Sequence, residues 1–389
     1  MTRVAGDWLD RPATQAVCAM LESAGHQALF VGGCVRDALL GRVVGDIDIA
    51  TDARPEDVVK LAEAAGLKPV PTGIEHGTVT VVSDKIPHEI TTFRRDVETD
   101  GRRATVAFAD DVRDDARRRD FTMNALYADA RGEVLDPLGG MDDLRARRVR
   151  FIEDPETRIR EDYLRILRFF RFHAWYGNPD AGMDAEALAA IAALSPGIET
   201  LSRERIGHEI RRLLAAPDPA PSVAAMRSTG VLPLVLPGAD DRFLAPLIHL
   251  ESEAGIAPDP MRRLAALGGT GAEDGLRLSK ADARRLGEVQ ALMALVAPPA
   301  ELGFRHGATL ARDALLLRHA MMGQPLAPDA LSEVDRGAAQ VIPVGARDLL
   351  DTYEGPAISR RLAQLTDAFV ASDFTLDRAA LLSLPDDPA

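Results

Sequence analysis

A pair of glycines followed by an arginine is the first group of residues in this chain that could do chemistry. The segment VGGCVRD (31–37) comes directly after a short apolar run. Gly32 and Gly33, at the end of a strand, would let backbone N–H groups approach a phosphate closely. Arg36, on the next turn, would add a fixed guanidinium. The segment therefore predicts a phosphate-binding loop, whereas the alternative is an ordinary turn.

Two aspartates follow this loop at a spacing that suits a metal ion. Asp46 and Asp48 lie in GDIDIAT (45–51), which we predict as a strand, so both carboxylates would point to the same face. Their repulsion favours a divalent cation between them, and their hard oxygen ligands suit Mg²⁺. Together with the preceding glycines and arginine, the pair predicts the metal half of a phosphoryl-transfer site rather than two surface aspartates.

A different chemistry also starts from two such aspartates, because aspartyl-phosphate phosphatases use the pattern D-x-D-x-[TV]. In this chain the residue four positions after Asp46 is Ala50, and Thr51 comes one place late. This mismatch and the glycine–arginine segment upstream disfavour the phosphatase interpretation.

A third carboxylate lies in the second strand of a predicted hairpin, Thr78–Val82 and His88–Phe93. Glu89 is near the start of that strand, on the face that it shares with Thr91 and Phe93. Beside the aspartate pair it would complete the metal shell or accept the proton of an attacking hydroxyl. The alternative is an ordinary glutamate at a sheet edge.

An arginine run follows a charged segment, 94–118, that we predict as a mobile loop. In RRRDFTMN (117–124) we expect three arginines to enter a helix, with Asn124 beyond its first turns. Their guanidinium groups would suit phosphate, and the amide would suit a ribose hydroxyl. We therefore assign Arg119, Asp120 and Asn124 to nucleotide binding, although an isolated charge run is usually a solvated face.

The sequence EDYLRILRFFRF (161–172) predicts a helix with a charged ladder, in which polar residues recur every third position. Adenine and cytosine both present an exocyclic amine beside a ring nitrogen, whereas guanine and uracil present the reverse. Asp162 could accept from that amine and Arg165 could donate to the ring nitrogen, which would select A and C together. Arg168 and Arg171 would meet phosphates or RNA. The alternative is a set of ordinary ion pairs along one helix.

Strand and helix signals alternate up to about residue 145, and only helical patterns follow. The fold class is therefore predicted as α+β: a head with a mixed or antiparallel sheet and helices, followed by an all-α remainder. The 389 residues suffice for several domains, and Cys18 and Cys34 cannot form a disulfide framework or a four-ligand zinc site. With no secretory or membrane-spanning apolar run, we expect a cytoplasmic protein with no membrane partner.

The formal net charge of −14 argues against a broadly basic nucleic-acid-binding protein. The charge is unevenly distributed, however, because residues 94–171 hold 18 Arg and 18 Asp or Glu and are therefore neutral as a group. An RNA or nucleotide ligand near this segment is compatible with the acidic total.

Taken in order, these motifs resemble the class II tRNA nucleotidyltransferase/poly(A) polymerase family, and most closely its bacterial CCA-adding members. The resemblance covers about residues 28–214. The matching segments are LFVGGCVRDALLG, GDIDIAT, HEITTFRRD, RRRDFTMNALYAD, DPLGGMDDL, RIREDYLRILRFFRF and LSRERIGHEI.

The resemblance implies four parts: a nucleotidyltransferase catalytic head (1–145), a helical neck with the nucleotide-selecting helix (146–215), a helical body (216–300) and a tRNA-binding tail (301–389). It implies Mg²⁺ at Asp46 and Asp48 and nucleotide contacts by Gly33, Arg36, Arg119, Asp162, Arg165, Arg168 and Arg171. From the residues themselves we add Glu89 as a catalytic residue and Gly32, Asp120 and Asn124 as nucleotide-binding residues.

The activity that this family resemblance implies is template-independent addition of C, C and A to the 3′ end of tRNA, from CTP and ATP, with release of pyrophosphate. No protein partner is implied. The alternatives are a poly(A) polymerase, an enzyme that adds only CC or only A, and a non-catalytic RNA-binding scaffold. The loop VETDGRR (97–103) disfavours the CC-only alternative, and the intact aspartate pair disfavours the scaffold. His249, His306 and His319 are not followed by Asp, so we expect no His-Asp phosphohydrolase activity.

Overall fold

The structure, a computed structural model, describes residues 2–71, 73–100 and 103–386. Two compact units divide the chain between them. The first comprises Met1–Ala239 and Gly269–Arg277, and the second comprises Asp240–Gly268 and Leu278–Ala389. Within the described ranges, none of the helices combines the length and the apolar character that crossing a bilayer requires.

A seven-stranded mixed sheet forms the centre of the head. The strands of the head, two of which lie outside this sheet, are β1 (Leu29–Val31), β2 (Asp48–Thr51), β3 (Lys68–Val70), β4 (Thr78–Ser83), β5 (Ile86–Thr92), β6 (Arg94–Asp100), β7 (Arg103–Phe108), β8 (Tyr127–Ala128) and β9 (Val134–Leu135). The order in the sheet is β3-β4-β5-β2-β1-β8-β9, and β6 and β7 form a separate two-stranded ribbon. Strands β2 and β5 run parallel, and the other paired strands of the sheet are antiparallel.

The helices of the first 145 residues are α1 (Asp7–Asp10), α2 (Pro12–Ser23), α3 (Gly33–Leu39), α4 (Pro55–Ala64), α5 (Val112–Arg117) and α6 (Gly140–Arg145). Helices α2 and α4 pack on β4 and β5. Buried and partly exposed residues alternate along strand β4 because one of its faces is covered. Val79 and Val81 are fully buried, whereas Thr80 between them is partly exposed. The predicted hairpin of β4 and β5 is confirmed.

The prediction of a mobile loop over 94–118 is wrong, because this stretch contains β6, β7 and α5. Arg94 pairs with Phe108 at the open end of the β6–β7 ribbon. Strands of a separate ribbon need not alternate apolar and polar residues, so the sequence carries no period-2 signal there. Residues 101 and 102 of the loop 97–103, which disfavours the CC-only alternative, lie outside the described residues.

The remainder is helical. Its helices are α7 (Pro155–Glu161), α8 (Leu164–Tyr176), α9 (Ala185–Leu194), α10 (Arg203–Leu214), α11 (Ala220–Ser228), α12 (Val231–Val235), α13 (Leu244–Glu253), α14 (Pro260–Leu267), α15 (Ala272–Gly275), α16 (Lys280–Met293), α17 (Pro299–His306), α18 (Ala308–Met322), α19 (Ala330–Ala338), α20 (Pro356–Ala371) and α21 (Arg378–Leu382). The prediction of an α+β head followed by an all-α remainder is confirmed.

A group of phenylalanines joins α8 to the head. Phe121 and Phe151 lie with ring centroids 5.0 Å apart, and Phe172 of α8 lies 5.0 Å from Phe121. Phe169, also on α8, stacks on Phe151 at 5.6 Å. Because the four rings are almost completely buried, they fix the position of α8 against the head.

The second unit contains α13, α14 and α16–α21, and a cluster of buried charges lies at the centre of its first helices. Arg262 donates to Glu251 at 2.8 Å and to Asp313 at 2.8 Å. Arg263 donates to the same glutamate at 2.8 Å, and Arg285 donates to Asp313 at 2.6 Å. Each of these arginines is therefore held directly by a carboxylate.

Candidate active site

The tandem glycines lie beneath two guanidinium groups. Strand β1 ends at Val31, and Gly32 then adopts φ 71°, ψ −117°, a conformation that disfavours other residues. A Cβ atom on Gly32 would lie 3.4 Å from Nη1 of Arg119, and one on Gly33 would lie 3.8 Å from Nη2 of Arg36. Because neither glycine has a side chain, the space between this backbone and the two cations stays open.

Arg36 is buried, with 6% of its surface exposed, and is held on three sides. Its Nε donates to Asp37 Oδ1 at 2.9 Å, and its Nη1 donates to Asn124 Oδ1 at 2.7 Å. Its Nη2 donates to the Tyr176 hydroxyl at 2.7 Å. These bonds use three of the five N–H groups of the guanidinium and fix its plane.

Arg119 is held by a carboxylate and a phenol. Its Nη2 donates to Asp115 Oδ2 at 3.0 Å, and its Nε donates to the Tyr127 hydroxyl at 3.1 Å. Burial alone would lower the pKa of Arg119, but Tyr127 and Asp115 outweigh it and raise the pKa. Arg119 therefore stays charged beside Gly32.

Asp120 connects Asn124 to helix α8. Its Oδ1 accepts from Asn124 Nδ2 at 2.8 Å, and its Oδ2 accepts from Arg168 Nε at 2.8 Å. Burial favours the neutral acid, but Arg168 and Asn124 outweigh it and, with the Phe121 N–H, lower the pKa of Asp120 to about 2. Asp120, Asn124 and Arg168, all predicted to bind nucleotide, thus lie together, and the charges of Asp120 and Arg168 balance each other.

The three carboxylates lie at the start of β2 and on β5. Asp48 opens β2, in register with Glu89 on the parallel strand β5. Burial raises the pKa of Asp48, Glu89 and Asp46 add to this effect and Arg119 opposes it, so that the pKa is about 6. The prediction that Asp46 lies on the same strand is wrong: it precedes β2, where it is exposed, because β1 pairs with β2 only from Ile49 onward.

Carboxylate oxygens are the ligands that a hard divalent cation prefers, and mutual repulsion of this kind is relieved by such a cation. Among the residues that the structure describes, no group of three or more histidine, cysteine, aspartate or glutamate side chains is spaced to hold a metal ion. The donor set therefore fits a cation held by two carboxylates together with oxygens of a substrate.

The predicted helix over 161–172 is interrupted, so Asp162 does not belong to the same helix as the arginines that follow it. Helix α7 ends at Glu161, Asp162 is extended (φ −154°, ψ 106°), and α8 begins at Leu164. The Oδ1 of Asp162 accepts the Leu164 N–H at 3.1 Å, and its Oδ2 accepts from Arg205 at 2.7 Å. These two bonds stabilise the break, which the helical spacing of the sequence does not indicate.

The arginines of the ladder have separate partners. Arg165 donates to Glu161 at 2.5 Å and to the Arg158 carbonyl at 2.7 Å. Arg168 donates to Asp120, as described above. Arg171 is buried and donates to Glu209 of α10 at 2.5 Å. Asp162, Arg165, Arg168 and Arg171 thus do not form one continuous row of charges on a single helix.

The correction to the arginine run is smaller. Arg117 is the last residue of α5, and a short 3-10 helix, Thr122–Asn124, comes after the run, so these arginines leave a helix instead of entering one. Sequence reasoning missed Asp115, Tyr127, Tyr176 and Arg205 as partners of the site. Asp115 has a local signal, because it lies four residues before Arg119, and Tyr127 lies eight residues after it, but Tyr176 and Arg205 are distant in sequence from the residues they hold.

Two protein families match parts of this chain. Residues 28–150 match the poly A polymerase head domain, and residues 182–243 match the family described as "Probable RNA and SrmB- binding site of polymerase A". The CCA-adding enzyme of Geobacillus thermodenitrificans is 38% identical over 58% of this chain and 54% of the relative. The chain therefore spans about half the length of the curated relatives it matches.

Two solved structures resemble the whole fold. A crystal structure of Bacillus stearothermophilus CCA-adding enzyme in complex with CTP is 28% identical, covers 93% of both chains and has a TM-score of 0.70. The Thermotoga maritima CCA-adding enzyme complexed with tRNA is 17% identical, covers 98% of both chains and has a TM-score of 0.69; at that identity it shows the fold alone. Residues 28–150 thus match the poly A polymerase head domain, and the resemblance to the tRNA nucleotidyltransferase/poly(A) polymerase family is confirmed.

Proposed function

We propose that this chain adds C, C and A to the 3′ end of tRNA, without a template, from CTP and ATP. The observation that carries the proposal is the pair of open glycines beneath Arg36 and Arg119, next to the carboxylates of Asp48 and Glu89. The electrostatic effect of Arg119 on the pKa of Asp48 supports the assignment of the cations and the carboxylates to one site. Relatives named CCA-adding enzyme and a related structure holding CTP support the substrate class.

The cofactor in this proposal is Mg²⁺, held by Asp46 and Asp48. When bound there, it would supply positive charge that neutralises phosphate oxygens. Arg36, Arg119 and the Gly33 backbone hold the triphosphate, so that the α-phosphate faces the carboxylates. Gly32 permits the close approach because it has no side chain.

The reaction is an in-line transfer at the α-phosphate. The 3′-oxygen of the tRNA forms a bond to the α-phosphorus, and the bond from that phosphorus to the bridging oxygen breaks. The proton of the 3′-hydroxyl passes to Glu89, whose side chain is exposed and in register with Asp48. Pyrophosphate leaves with its charge balanced by Arg36 and Arg119.

Base selection is assigned to Asp162 and Arg165, with Asp120, Asn124, Arg168 and Arg171 completing the nucleotide site. Asp162 would accept from the exocyclic amine of cytosine or adenine, and Arg165 would donate to the ring nitrogen. The Asp162 carboxylate is partly exposed, and it now accepts from Arg205, so a base would compete for that oxygen. The Glu209 pair of Arg171 is buried, and a direct contact with substrate would have to open it.

The test is extension of a tRNA that lacks its 3′ end, with each nucleotide offered singly and in combination, followed by sequencing of the products. We expect CTP and ATP to be used, GTP and UTP to be rejected, and growth to stop after C-C-A. A long A tract from ATP alone would replace the proposal with a poly(A) polymerase. Addition of only CC or only A would identify a partial enzyme.

Two further statements stay predictions. One is the division into head, neck, body and tail at residues 145, 215 and 300, and the other is the cytoplasmic location. The tail would grip tRNA. The boundary at residue 145 is supported by the change from strands to helices after β9, and limited proteolysis of the full chain would test all three boundaries.

A further inference from the structure

We propose that Tyr176 is a positioning residue for the triphosphate, acting through Arg36. The inference rests on the proposed function, because it takes Arg36 as a contact of the nucleotide. Tyr176 is the last residue of α8 and lies 140 positions from Arg36 in the sequence. It belongs to none of the motifs that carry the family resemblance.

Tyr176 holds the guanidinium of Arg36 in two ways. Its hydroxyl accepts from Nη2 at 2.7 Å, and its ring lies 3.9 Å from the Cζ of the same arginine. Arg42, near the end of α3, contacts the same ring at 4.8 Å and donates to the Trp175 carbonyl at 2.6 Å. The ring is thus fixed by contacts of its own, so it can act as a rigid support.

The nitrogen that Tyr176 holds is the one that faces the phosphate loop. Nη2 of Arg36 is the atom nearest to the open side of Gly33, at 3.8 Å from where a Cβ atom would lie. Asp37 Oδ1 lies 2.9 Å from both Nε and Nη2, and Asn124 holds Nη1, so Tyr176 is the third group that fixes the plane of the guanidinium. Without the hydroxyl, the whole guanidinium could tilt away from the loop, and each triphosphate would have to reorder it.

Because the triphosphate is common to both substrates, the effect must be equal for CTP and ATP and must spare the choice of base. The experiment compares wild type with Tyr176→Phe, which keeps the ring and removes the hydroxyl. We expect the Kd of inorganic tripolyphosphate, measured by calorimetry, to rise by roughly three- to tenfold, about the net contribution of one ordinary hydrogen bond. KM for CTP and for ATP should rise by the same factor, with unchanged discrimination against UTP.

Tyr353→Phe is the matched control, since Tyr353 donates to Asp386 at 2.6 Å in the other unit and lies outside the proposed site. It should leave the Kd of tripolyphosphate unchanged. Tyr176→Leu, which also removes the ring, should raise that Kd further, and thermal unfolding of each variant checks that it is folded.

An unchanged Kd in folded Tyr176→Phe would overturn the inference, and so would a wild type that binds no tripolyphosphate. A variant that alters the choice between CTP and UTP would also overturn it, because the effect would then lie at the base. A wild type that binds tripolyphosphate but does not extend tRNA would instead contradict the proposed function, and the calorimetric comparison would still decide the role of Tyr176.

Discussion

Buried arginines occur in both units of the molecule, but their partners differ. In the second unit, Arg262 is held by the carboxylates of Glu251 and Asp313. In the first unit, Arg36 has one carboxylate partner, Asp37, and neutral groups of Asn124 and Tyr176 hold two of its nitrogens. A carboxylate balances the positive charge of an arginine, whereas an amide or a phenol fixes its geometry without adding negative charge. Two carboxylates surround Arg262, whereas Arg36 combines one carboxylate with neutral partners, which leaves more of its charge available to an anion.

Loss of one charge at the proposed site should have the largest effect on activity. We expect Asp48→Asn to reduce the rate of tRNA extension by roughly a thousandfold, because the remaining carboxylate binds a divalent cation too weakly. Stability should change little or rise, since burial and the neighbouring carboxylates already raise the pKa of Asp48. Single-turnover extension and thermal unfolding would measure the two effects.

Asp57→Asn provides the control for this variant, because Asp57 lies on α4, half-exposed, and pairs with an exposed Lys60. Comparable extension rates in the Asp48 variant and the wild type would show that the Asp48 carboxylate takes no part in the reaction.

In the second unit we expect a substitution to reduce stability and to leave nucleotide use unchanged. Glu251→Gln leaves Arg262 and Arg263 without their shared carboxylate, and breaking a buried ion pair of this kind costs about 3–5 kcal/mol of unfolding free energy. Under conditions where the variant is folded, KM for CTP should equal that of wild type. Glu253→Gln, on the exposed side of the same helix, is the control. A stable variant would show that this cluster does not hold the unit together.

The pair of Asp120 and Arg168 should give the first unit a pH-dependent stability. The pKa of Asp120 falls from 3.8 to about 2 on folding, so its contribution, about 2 kcal/mol, is complete above about pH 4 and is lost as the pH falls through 2. Urea unfolding of wild type and Asp120→Asn should therefore differ at pH 6 and converge near pH 2. A difference that stays constant over this range would mean that the ionised form of Asp120 is not the favoured one.

The smallest expected effect concerns the choice of base. Asp162→Ala should reduce discrimination between CTP and UTP by about tenfold, the value of one lost hydrogen bond to the base, and should weaken tRNA binding less. Asp180→Ala, an exposed aspartate beyond α8, is the control. Unchanged discrimination would refute the role of Asp162 in base selection.

Local signals in the sequence account for much of the head. The glycines before α3, the short buried strand β1 and the alternating strand β4 are each specified by neighbouring residues, so their prediction needs no knowledge of the fold. The register that sets Asp48 opposite Glu89 depends on strands far apart in the chain, and the sequence could place the two side chains only by family resemblance.

The break before α8 shows why the rest could not be predicted. The run from Glu161 to Phe172 has helical spacing throughout, and only the contact with Arg205, 43 residues later, reveals why Asp162 leaves the helix. Tyr176, a partner of Arg36, is still more distant in the sequence, at 140 residues. Contacts of this range are set by the packing of α8 against α10 and against the head, which no local pattern encodes.

The phenylalanine cluster bears on how the protein can be divided for experiments. Phe121 comes from the head, whereas Phe169 and Phe172 come from α8, and the rings are almost completely buried against each other. A fragment that ends before α8 would turn Phe121 toward water and would be prone to aggregate. A minimal nucleotide-binding fragment therefore needs to extend at least through α8, even though the sheet is complete at residue 135.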